Sequence, residues 1–433
     1  MNRMAKCALA LVLLLVMTAA SAMAAESVSN ADEFKKAVEE GKDVILSSSF
    51  SVASQNDKTD AQYVLIAQGK SVTIDFNGHT ITAVDNNPSA NYQFIFNKGT
   101  LVLKDSSKDA QGGITLSATT DRDWNNLSAI VTNSGAGSKV TIESGVYKHN
   151  GGTDMAYVVD NNSNSVSVYL TVNGGTLYSK YRAIRAFQNS ANHENVMVIN
   201  GGTIEGENAG IWQQSTNKNN NKGSLTVNDG TIIGNSSTAI YTWQPEGSTS
   251  ASNISTTING GTLEGATGLK VALPGAGETI SVTGGTSVSD LSEYVDPDVV
   301  MATISVDGET LYAVGKQSVS NAVADAADKN AAETTVVVTQ GNLTLSNVPA
   351  GVTVSVEDGA TANVNDYTLN DSNATITIPV PATPTPAPTA TPVPDTSNMP
   401  QTGDNSNLAL FALLLTASAA GMMLLMRRKA AQE

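Results

Sequence analysis

Three pairs of acidic residues that lie close together in the sequence could catalyse the hydrolysis of a sugar chain. The pairs are Asp121 with Asp123, Asp154 with Asp160, and Glu205 with Glu207. Glycoside hydrolysis needs two carboxyl groups about 5–10 Å apart, a distance that a sequence does not fix. The candidates for catalysis are Asp121 and Asp123, which flank Arg122 beside Trp124 in a predicted loop. Solvated loop carboxylates give the same pattern, so both interpretations stay open.

A second set of residues could bind sugars rather than cleave them. Four short segments align on the apolar residues Ile184, Ile211, Ile240 and Leu269. The next column then holds Arg185, Trp212, Tyr241 and Lys270. Two residues further lie Phe187, Gln214, Trp243 and Ala272. Because side chains alternate along a strand, inward-pointing apolar residues place both columns on the outside.

Flat aromatic faces stack on sugar rings, and large exposed apolar residues commonly mark a binding surface. We therefore expect Trp212, Tyr241 and Trp243 to form an exposed glycan-binding face. Arg185 would be its polar partner. The alternative is that loops cover these rings and make them a satellite core.

The histidines and the cysteine give little support for other chemistry. His79, in an Asn-Gly turn, is expected to be a turn residue, and His149 and His193 lack metal-ligand spacing. The single cysteine, Cys7, excludes an internal disulfide framework, a cysteine zinc site and an iron–sulfur centre. The sequence predicts no cofactor, no metal site and no assigned catalytic residue, and nothing in it supports a need for Ca²⁺.

A repeated segment must position the candidate residues. Its aligned glycines are Gly145, Gly175, Gly202, Gly230, Gly261 and Gly285, which lie 30, 27, 28, 31 and 24 residues apart. Such a period predicts a solenoid, and alternating apolar residues around each turn predict parallel strands. The recurrent asparagines Asn173, Asn200, Asn228 and Asn259 are expected to stack along the turns as a structural ladder.

Two or more strands per repeat, with connecting loops of variable length, indicate an all-β parallel β-helix. This stretch resembles the right-handed β-helices of the pectin-lyase-like superfamily, and with its cap it covers residues 25–300. The resemblance implies a polysaccharide lyase or glycosidase. However, the Asn-Thr-Asp, Asp-Asp, Gly-His-Gly and Arg-Ile-Lys motifs of its polygalacturonase-like members are absent, as is the arginine run of its pectate lyases. No catalytic residue can therefore be assigned by resemblance.

Both ends of the solenoid require protection of the exposed core. The segment from Asn30 to Gly41 predicts a capping helix, with an apolar face that begins at Phe34. A similar pattern recurs at residues 318–329 and precedes another β run. We therefore expect residues 301–378 to form a small helix-plus-strand domain.

The beginning of the chain resembles a secretory signal peptide. Arg3 and Lys6 precede an apolar run from Ala8 to Met17, and small residues end at Ala24. Cleavage after Ala24 would remove residues 1–24 from the mature protein. The alternative is a retained membrane anchor.

The end of the chain combines three features. Residues 379–398 contain seven prolines and predict an extended, wall-spanning linker. Leu408–Met426 is an uncharged run of 19 residues that predicts a transmembrane helix, followed by a basic tail. Just upstream of that helix, the motif reads Met399-Pro400-Gln401-Thr402-Gly403.

Together, the motif, helix and tail over residues 399–433 resemble a sortase sorting signal of Gram-positive surface proteins. Met399 replaces the leucine of the usual pattern. The resemblance implies cleavage after Thr402 and covalent attachment of Thr402 to peptidoglycan by a sortase. The protein would then contact the membrane only before processing, through the helix.

The charge balance limits the possible partners. The formal net charge is −16, and removal of the signal and of residues 403–433 leaves −19. This charge disfavours nucleic acid and any polyanion that no cation bridges. We expect a wall-displayed adhesin that binds glycans or a host or neighbouring surface. A wall-anchored lyase or glycosidase and a passive stalk are the alternatives.

Overall fold

The computed structural model describes most of the chain between the two ends. The described residues are 25–52, 60–87, 89–118, 126–152, 154–190, 192–215, 222–243, 253–272 and 278–380. The predicted signal peptide, sorting motif and transmembrane helix lie outside these residues, as does the predicted linker from residue 381 onward. Within them, no helix is long and apolar enough to cross a membrane.

The larger part of the structure is a parallel β-solenoid. Its strands are β1 (Glu26–Val28), β2 (Val44–Leu46), β3 (Phe50–Val52), β4 (Asp60–Ile66), β5 (Ser71–Asp75), β6 (Thr80–Asp85), β7 (Asn91–Asn97), β8 (Thr100–Lys104), β9 (Gly113–Ala118), β10 (Ser128–Asn133), β11 (Ser138–Ile142), β12 (Val146–His149), β13 (Ala156–Ser163), β14 (Val168–Val172), β15 (Thr176–Ser179), β16 (Arg182–Gln188), β17 (Glu194–Ile199), β18 (Thr203–Gly206), β19 (Ala209–Ser215), β20 (Lys222–Val227), β21 (Thr231–Trp243), β22 (Asn253–Ala272) and β23 (Glu278–Ser287).

Parallel pairing between successive turns builds three sheets. The first stacks β1, β2, β5, β8, β11, β14, β17 and β20, and then the first parts of β22 and β23. The second stacks β3, β6, β9, β12, β15 and β18, and then parts of β21 and β22. The third stacks β4, β7, β10, β13, β16 and β19, and then the ends of β21 and β22. This third sheet carries the aligned aromatic residues.

The in-register stacking turns the sequence alternation into apolar columns inside the solenoid. One column consists of Val72, Leu101, Val140, Leu170, Met197 and Leu225. Its members are at most 1% exposed and belong to one continuous core. Each turn buries its apolar residues against its neighbours, so the turns depend on one another for stability.

Two asparagine ladders connect the turns. The predicted ladder is confirmed: the Nδ2 atoms of Asn200, Asn228 and Asn259 donate to the Oδ1 of the asparagine one turn before, at 2.8, 2.8 and 2.9 Å. Asn173 begins this ladder by donating to Glu143. A second, buried ladder that the sequence did not suggest joins Asn97, Asn133, Asn161 and Asn195.

The capping helix is also confirmed. Helix α1 spans Ala31–Glu40, and its N-cap Asn30 accepts a hydrogen bond from the Glu33 backbone N–H at 3.0 Å. Its apolar face buries Phe34, Ala37 and Val38, and the helix ends at Gly41 with φ of 81°. The helix therefore covers the apolar interior that the first turn would otherwise expose.

The chain after the solenoid forms a second, separate hydrophobic core. Its elements are β24 (Met301–Val306), β25 (Glu309–Val314), α2 (Lys316–Asn330), β26 (Thr335–Gln340), β27 (Asn342–Leu345), β28 (Thr353–Val356), β29 (Thr361–Val364), β30 (Tyr367–Leu369) and β31 (Thr375–Thr377), with 3₁₀ turns at Ser292–Tyr294 and Ala331–Glu333. Strand β25 pairs antiparallel with β23, which ends the parallel stack. Helix α2 begins two residues before the predicted 318–329 segment and ends one residue after it.

The turn glycines provide a direct test of stacking. Gly202 has φ of 87°, and a Cβ there would lie 2.7 Å from the Gly175 carbonyl oxygen of the previous turn. Gly69 has a similar φ of 78°, with no atom within 4 Å of its added Cβ. We expect Gly202→Ala to destabilise the protein by about 1–3 kcal/mol more than Gly69→Ala, because only the former crowds a neighbouring turn. Urea denaturation measures the difference, and equal losses would contradict it.

Asp105 predicts a pH dependence of stability. Its carboxylate accepts hydrogen bonds from the backbone N–H groups of Gly78, Ser107 and Gly112. Burial alone would raise the pKa of Asp105, but these hydrogen bonds outweigh it and lower the pKa. A lowered folded-state pKa gives stability that is present above the unfolded value of about 3.9 and is lost as the pH falls through the folded value.

We therefore expect Asp105→Asn to cost about 1–3 kcal/mol at pH 7, because its amide N–H₂ would face a backbone donor. The difference from the wild type should shrink on acidification, when the wild-type carboxyl is itself protonated. Urea denaturation at a series of pH values measures this change. A difference that does not vary with pH would contradict the assignment.

Candidate functional site

The third sheet brings the predicted residues together in the predicted register. Arg185 pairs with Trp212, Trp212 with Tyr241, and Tyr241 with Lys270 on successive turns. The second column, with Phe187, Gln214, Trp243 and Ala272, is also in register. The alignment is therefore confirmed.

The predicted exposure of this face is wrong for two of its members. Arg185 is 5% exposed and Trp212 is 8% exposed. Trp212 packs in a satellite hydrophobic cluster with Leu127, Ala129 and Tyr157, as the alternative interpretation expected. Tyr241 and Trp243 pack against this cluster and remain partly exposed. The column is thus buried on its first two turns, at Arg185 and Trp212, and accessible on the next two, at Tyr241 and Lys270.

Simple alternation fails here because strand β16 places two consecutive residues inward. Ala183 and Ile184 both belong to the main core. As a result, Arg182 and Arg185, three positions apart, both lie on the side of the satellite cluster, where each guanidinium lies over aromatic rings. Strand alternation therefore does not predict Arg182 as a residue of this site.

Arg185 is held by an ion pair rather than free to bind a sugar. Its Nε lies 2.7 Å from Asp160 Oδ1, and the two side chains are 5% and 0% exposed. The guanidinium carbon also lies 4.8 Å from the centre of the Tyr157 ring. Burial alone would lower the pKa of Arg185, but the Asp160 carboxylate outweighs burial and raises it. The charge is therefore neutralised within the fold.

Arg182 lies in an aromatic environment and forms no ion pair with an acid of the described residues. Its guanidinium carbon lies 3.7 Å from the centre of the Trp212 ring, 4.4 Å from that of Tyr181 and 5.8 Å from that of Tyr241. Its Nε donates to Asn208 Oδ1 at 2.8 Å. Burial lowers the pKa of Arg182, and the positive charge of Arg185 acts in the same direction.

The aromatic rings form a continuous cluster around Arg182. We call Tyr181, Trp212, Tyr241 and Trp243 the aromatic cluster. The centres of the Trp212 and Trp243 rings lie 6.5 Å apart with an edge-to-face arrangement of 61°. Tyr181, Tyr241 and Trp243 are partly exposed and border the buried Trp212. Edge-to-face contact and cation–π attraction stabilise this arrangement and leave the outer rings partly open to solvent.

The acidic pairs have different environments. Asp121 and Asp123 lie outside the described residues. Asp160 is buried in its ion pair, whereas Asp154 is exposed, so these two do not share one environment.

Glu205 and Glu207 do come together. Asn235 Nδ2 lies 2.9 Å from Glu205 Oε1 and 3.3 Å from Glu207 Oε1. Tyr178 also donates to Glu207 at 3.0 Å. Both carboxylates are therefore engaged in hydrogen bonds between neighbouring turns, which gives them a structural role.

The histidines have structural surroundings. The His79 backbone N–H donates to Phe76 in the Asn-Gly turn, as predicted. His149 Nε2 lies 2.9 Å from Ser128 Oγ, which donates to Asp85 at 2.7 Å, and all three residues are buried. The Ser128 hydroxyl donates its hydrogen bond to Asp85 rather than to His149. His149 is therefore not placed to act as a base that would activate Ser128 as a nucleophile. Within the described residues, no group of three or more histidine, cysteine or acidic side chains could hold a metal ion.

Comparison with known proteins concerns the end of the chain. The family model of the LPXTG cell wall anchor motif matches residues 398–432, which include Pro400, Thr402 and Gly403. The protein is secreted and anchored covalently to the Gram-positive cell wall. The motif implies attachment by a sortase. No curated protein and no solved structure matches the chain, so the resemblance of the solenoid to the pectin-lyase-like superfamily gains no support from them.

Removing the acid of the buried ion pair should destabilise the protein far more than removing the acid of an exposed one. We expect Asp160→Asn to destabilise the wall protein by about 3–5 kcal/mol, because it leaves the Arg185 charge buried without its partner. Glu39→Gln is the control, since Glu39 forms an exposed ion pair with Lys35 at 2.6 Å. Its cost should stay below about 0.5 kcal/mol. Thermal unfolding of the two variants tests this, and similar losses would contradict the assignment.

Proposed function

We propose that this wall-anchored protein is a non-enzymatic adhesin that binds glycans through the aromatic cluster. The observation that carries the proposal is the set of three partly exposed rings, Tyr181, Tyr241 and Trp243, around the buried Trp212. Amphipathic aromatic rings present a flat apolar face for a sugar ring and polar atoms at their edges for its hydroxyl groups.

The spacing of the solenoid suits a chain of sugars. The rings come from three successive turns: Tyr181 lies directly before β16, the buried Trp212 lies in β19, and Tyr241 and Trp243 lie in β21. Adjacent strands lie about 4.8 Å apart, so rings on neighbouring turns form a short track along the solenoid axis. A track of this kind favours an oligosaccharide over a single sugar.

The arrangement of carboxylates favours binding over hydrolysis. Asp160 is neutralised by Arg185, and Glu205 and Glu207 both engage Asn235. Such groups are poorly placed to exchange a proton with a glycosidic oxygen. The enzymatic alternative, which rests on Asp121 and Asp123, is therefore kept as an outcome of the test below.

The substitution Trp243→Ala tests the site. It removes a partly exposed ring at the edge of the cluster while leaving Trp212 in place, so we expect binding to weaken about tenfold or more with the fold retained. Tyr367→Ala is the matched control, because Tyr367 is 40% exposed and lies on β30, in the part of the chain that follows the solenoid. Binding is measured on a glycan array with the purified protein.

Each outcome of the array distinguishes between the alternatives. Specific binding that Trp243→Ala abolishes and Tyr367→Ala preserves supports the proposal. Binding that Trp243→Ala leaves unchanged contradicts the site. Release of new reducing ends or unsaturated products from a bound glycan would favour the enzyme, and binding to no glycan would favour a passive stalk.

A further inference from the structure

We infer that the glycan is a largely neutral chain carrying one isolated anionic group, and that Arg182 binds this group. The inference rests on the proposed function and adds the chemical class of the ligand. The shared chemistry is a singly charged oxygen group, either the carboxylate of an acidic sugar or a sulfate ester. Arg182 is a binding residue that the sequence pattern alone did not reveal.

The first observation is an unsatisfied guanidinium. Arg182 is 9% exposed, and its Nη1 atom is buried with no hydrogen-bond partner among the described residues. Its Nε donates a hydrogen bond to the neutral amide oxygen of Asn208. A buried donor on a charged group that lacks an acceptor is costly, and proteins ordinarily supply one. The missing acceptor is therefore expected to come from outside the fold.

The second observation is the contrast with Arg185 on the same strand. Arg185 has a buried carboxylate partner, Asp160, at 2.7 Å. In the described part of the chain, Arg182 forms no ion pair with an acid. Each guanidinium lies over aromatic rings, Arg185 over Tyr157 and Phe187, and Arg182 over a different set, but only Arg185 also has a carboxylate partner. The faces of Trp212 and Tyr181 attract the cation but offer no in-plane acceptor to its N–H groups.

The position of Arg182 links it to the proposed sugar track. Two partly exposed rings, Tyr181 and Tyr241, have their centres 4.4 and 5.8 Å from its guanidinium carbon. Trp212 Nε1 is also buried without a partner in the described residues. A sugar stacked on the outer rings would place an anionic substituent next to two buried donors, Arg182 Nη1 and Trp212 Nε1, which the substituent reaches by displacing the ring edges that cover them.

The net charge argues against a polyanionic ligand. Residues 25–402 carry a net charge of −19, which repels a chain with a negative charge on every sugar. The local charges are mixed: Lys270 lies 5.3 Å from the centre of the Tyr241 ring, and Asp154 is close enough to raise the pKa of Tyr181, although less than burial does. One anionic group fits Arg182, whereas a continuous run of them does not.

The test uses the full-length protein displayed on Gram-positive cells and fluorescent polymers that carry defined sugars. The probes are lactose, 3′-sialyllactose, 3′-sulfolactose and oligogalacturonate. The wild type should bind a singly anionic probe about 10- to 100-fold more tightly than lactose, the gain expected from one charge-assisted hydrogen bond. The two singly anionic probes distinguish a carboxylate from a sulfate. Oligogalacturonate should bind more weakly than the better of them.

Three variants separate this inference from the proposed function. Arg182→Gln should reduce binding of the anionic probe to the level of lactose, and Arg182→Lys should give an intermediate loss because it keeps the charge without the planar donors. Trp243→Ala should reduce binding of every probe. Lys148→Gln removes an exposed cation from the second sheet and should change nothing.

Several results would overturn the inference. Arg182 does not bind an anionic group if the wild type binds lactose and both singly anionic probes equally, or if Arg182→Gln binds them as the wild type does. Either result leaves the proposed aromatic site intact. If oligogalacturonate binds most tightly, the ligand is a polyanion. If no probe binds, or if Trp243→Ala has no effect, the proposed function fails together with the inference. The wild-type comparison between probes needs no variant, so it remains decisive if Arg182→Gln does not fold.

Discussion

In-register stacking of successive turns is the constraint on which the rest of the structure depends. A turn glycine such as Gly202 leaves no space for a side chain against Gly175, so each turn is fixed directly above the last. The apolar columns, the two asparagine ladders and the aromatic track all follow from that register.

Strand β16 of the third sheet carries two arginines with different roles. Arg185 and Asp160 form a closed, buried ion pair that stabilises one geometry of the sheet. Arg182 lies over other aromatic rings, and within the described residues it has no acidic partner and its Nη1 donor has no acceptor. Arg185 therefore has a structural role, whereas the role we propose for Arg182 is to bind a ligand.

Much of this fold could be predicted from the sequence, because repeated local patterns dictate it. The repeat and the strand alternation were enough to predict the column of Ile184, Ile211 and Ile240. The burial of Trp212 could not be predicted in the same way, since it depends on contacts with Leu127 and Tyr157, which are distant in sequence.

Other features were hidden for specific physical reasons. The buried ladder joins asparagines that are 36, 28 and 34 residues apart, so no fixed period marks it. Arg182 could not be predicted because Ala183 and Ile184 both point into the core, which breaks the alternation that the prediction assumed.

A crystal structure of the protein with a singly acidic oligosaccharide tests the proposed binding site most directly. We predict a sugar ring on Tyr241 or Trp243 and an anionic oxygen within hydrogen-bond distance of Arg182 Nη1. A ligand bound elsewhere, with Arg182 paired to an acid of the protein itself, would contradict it.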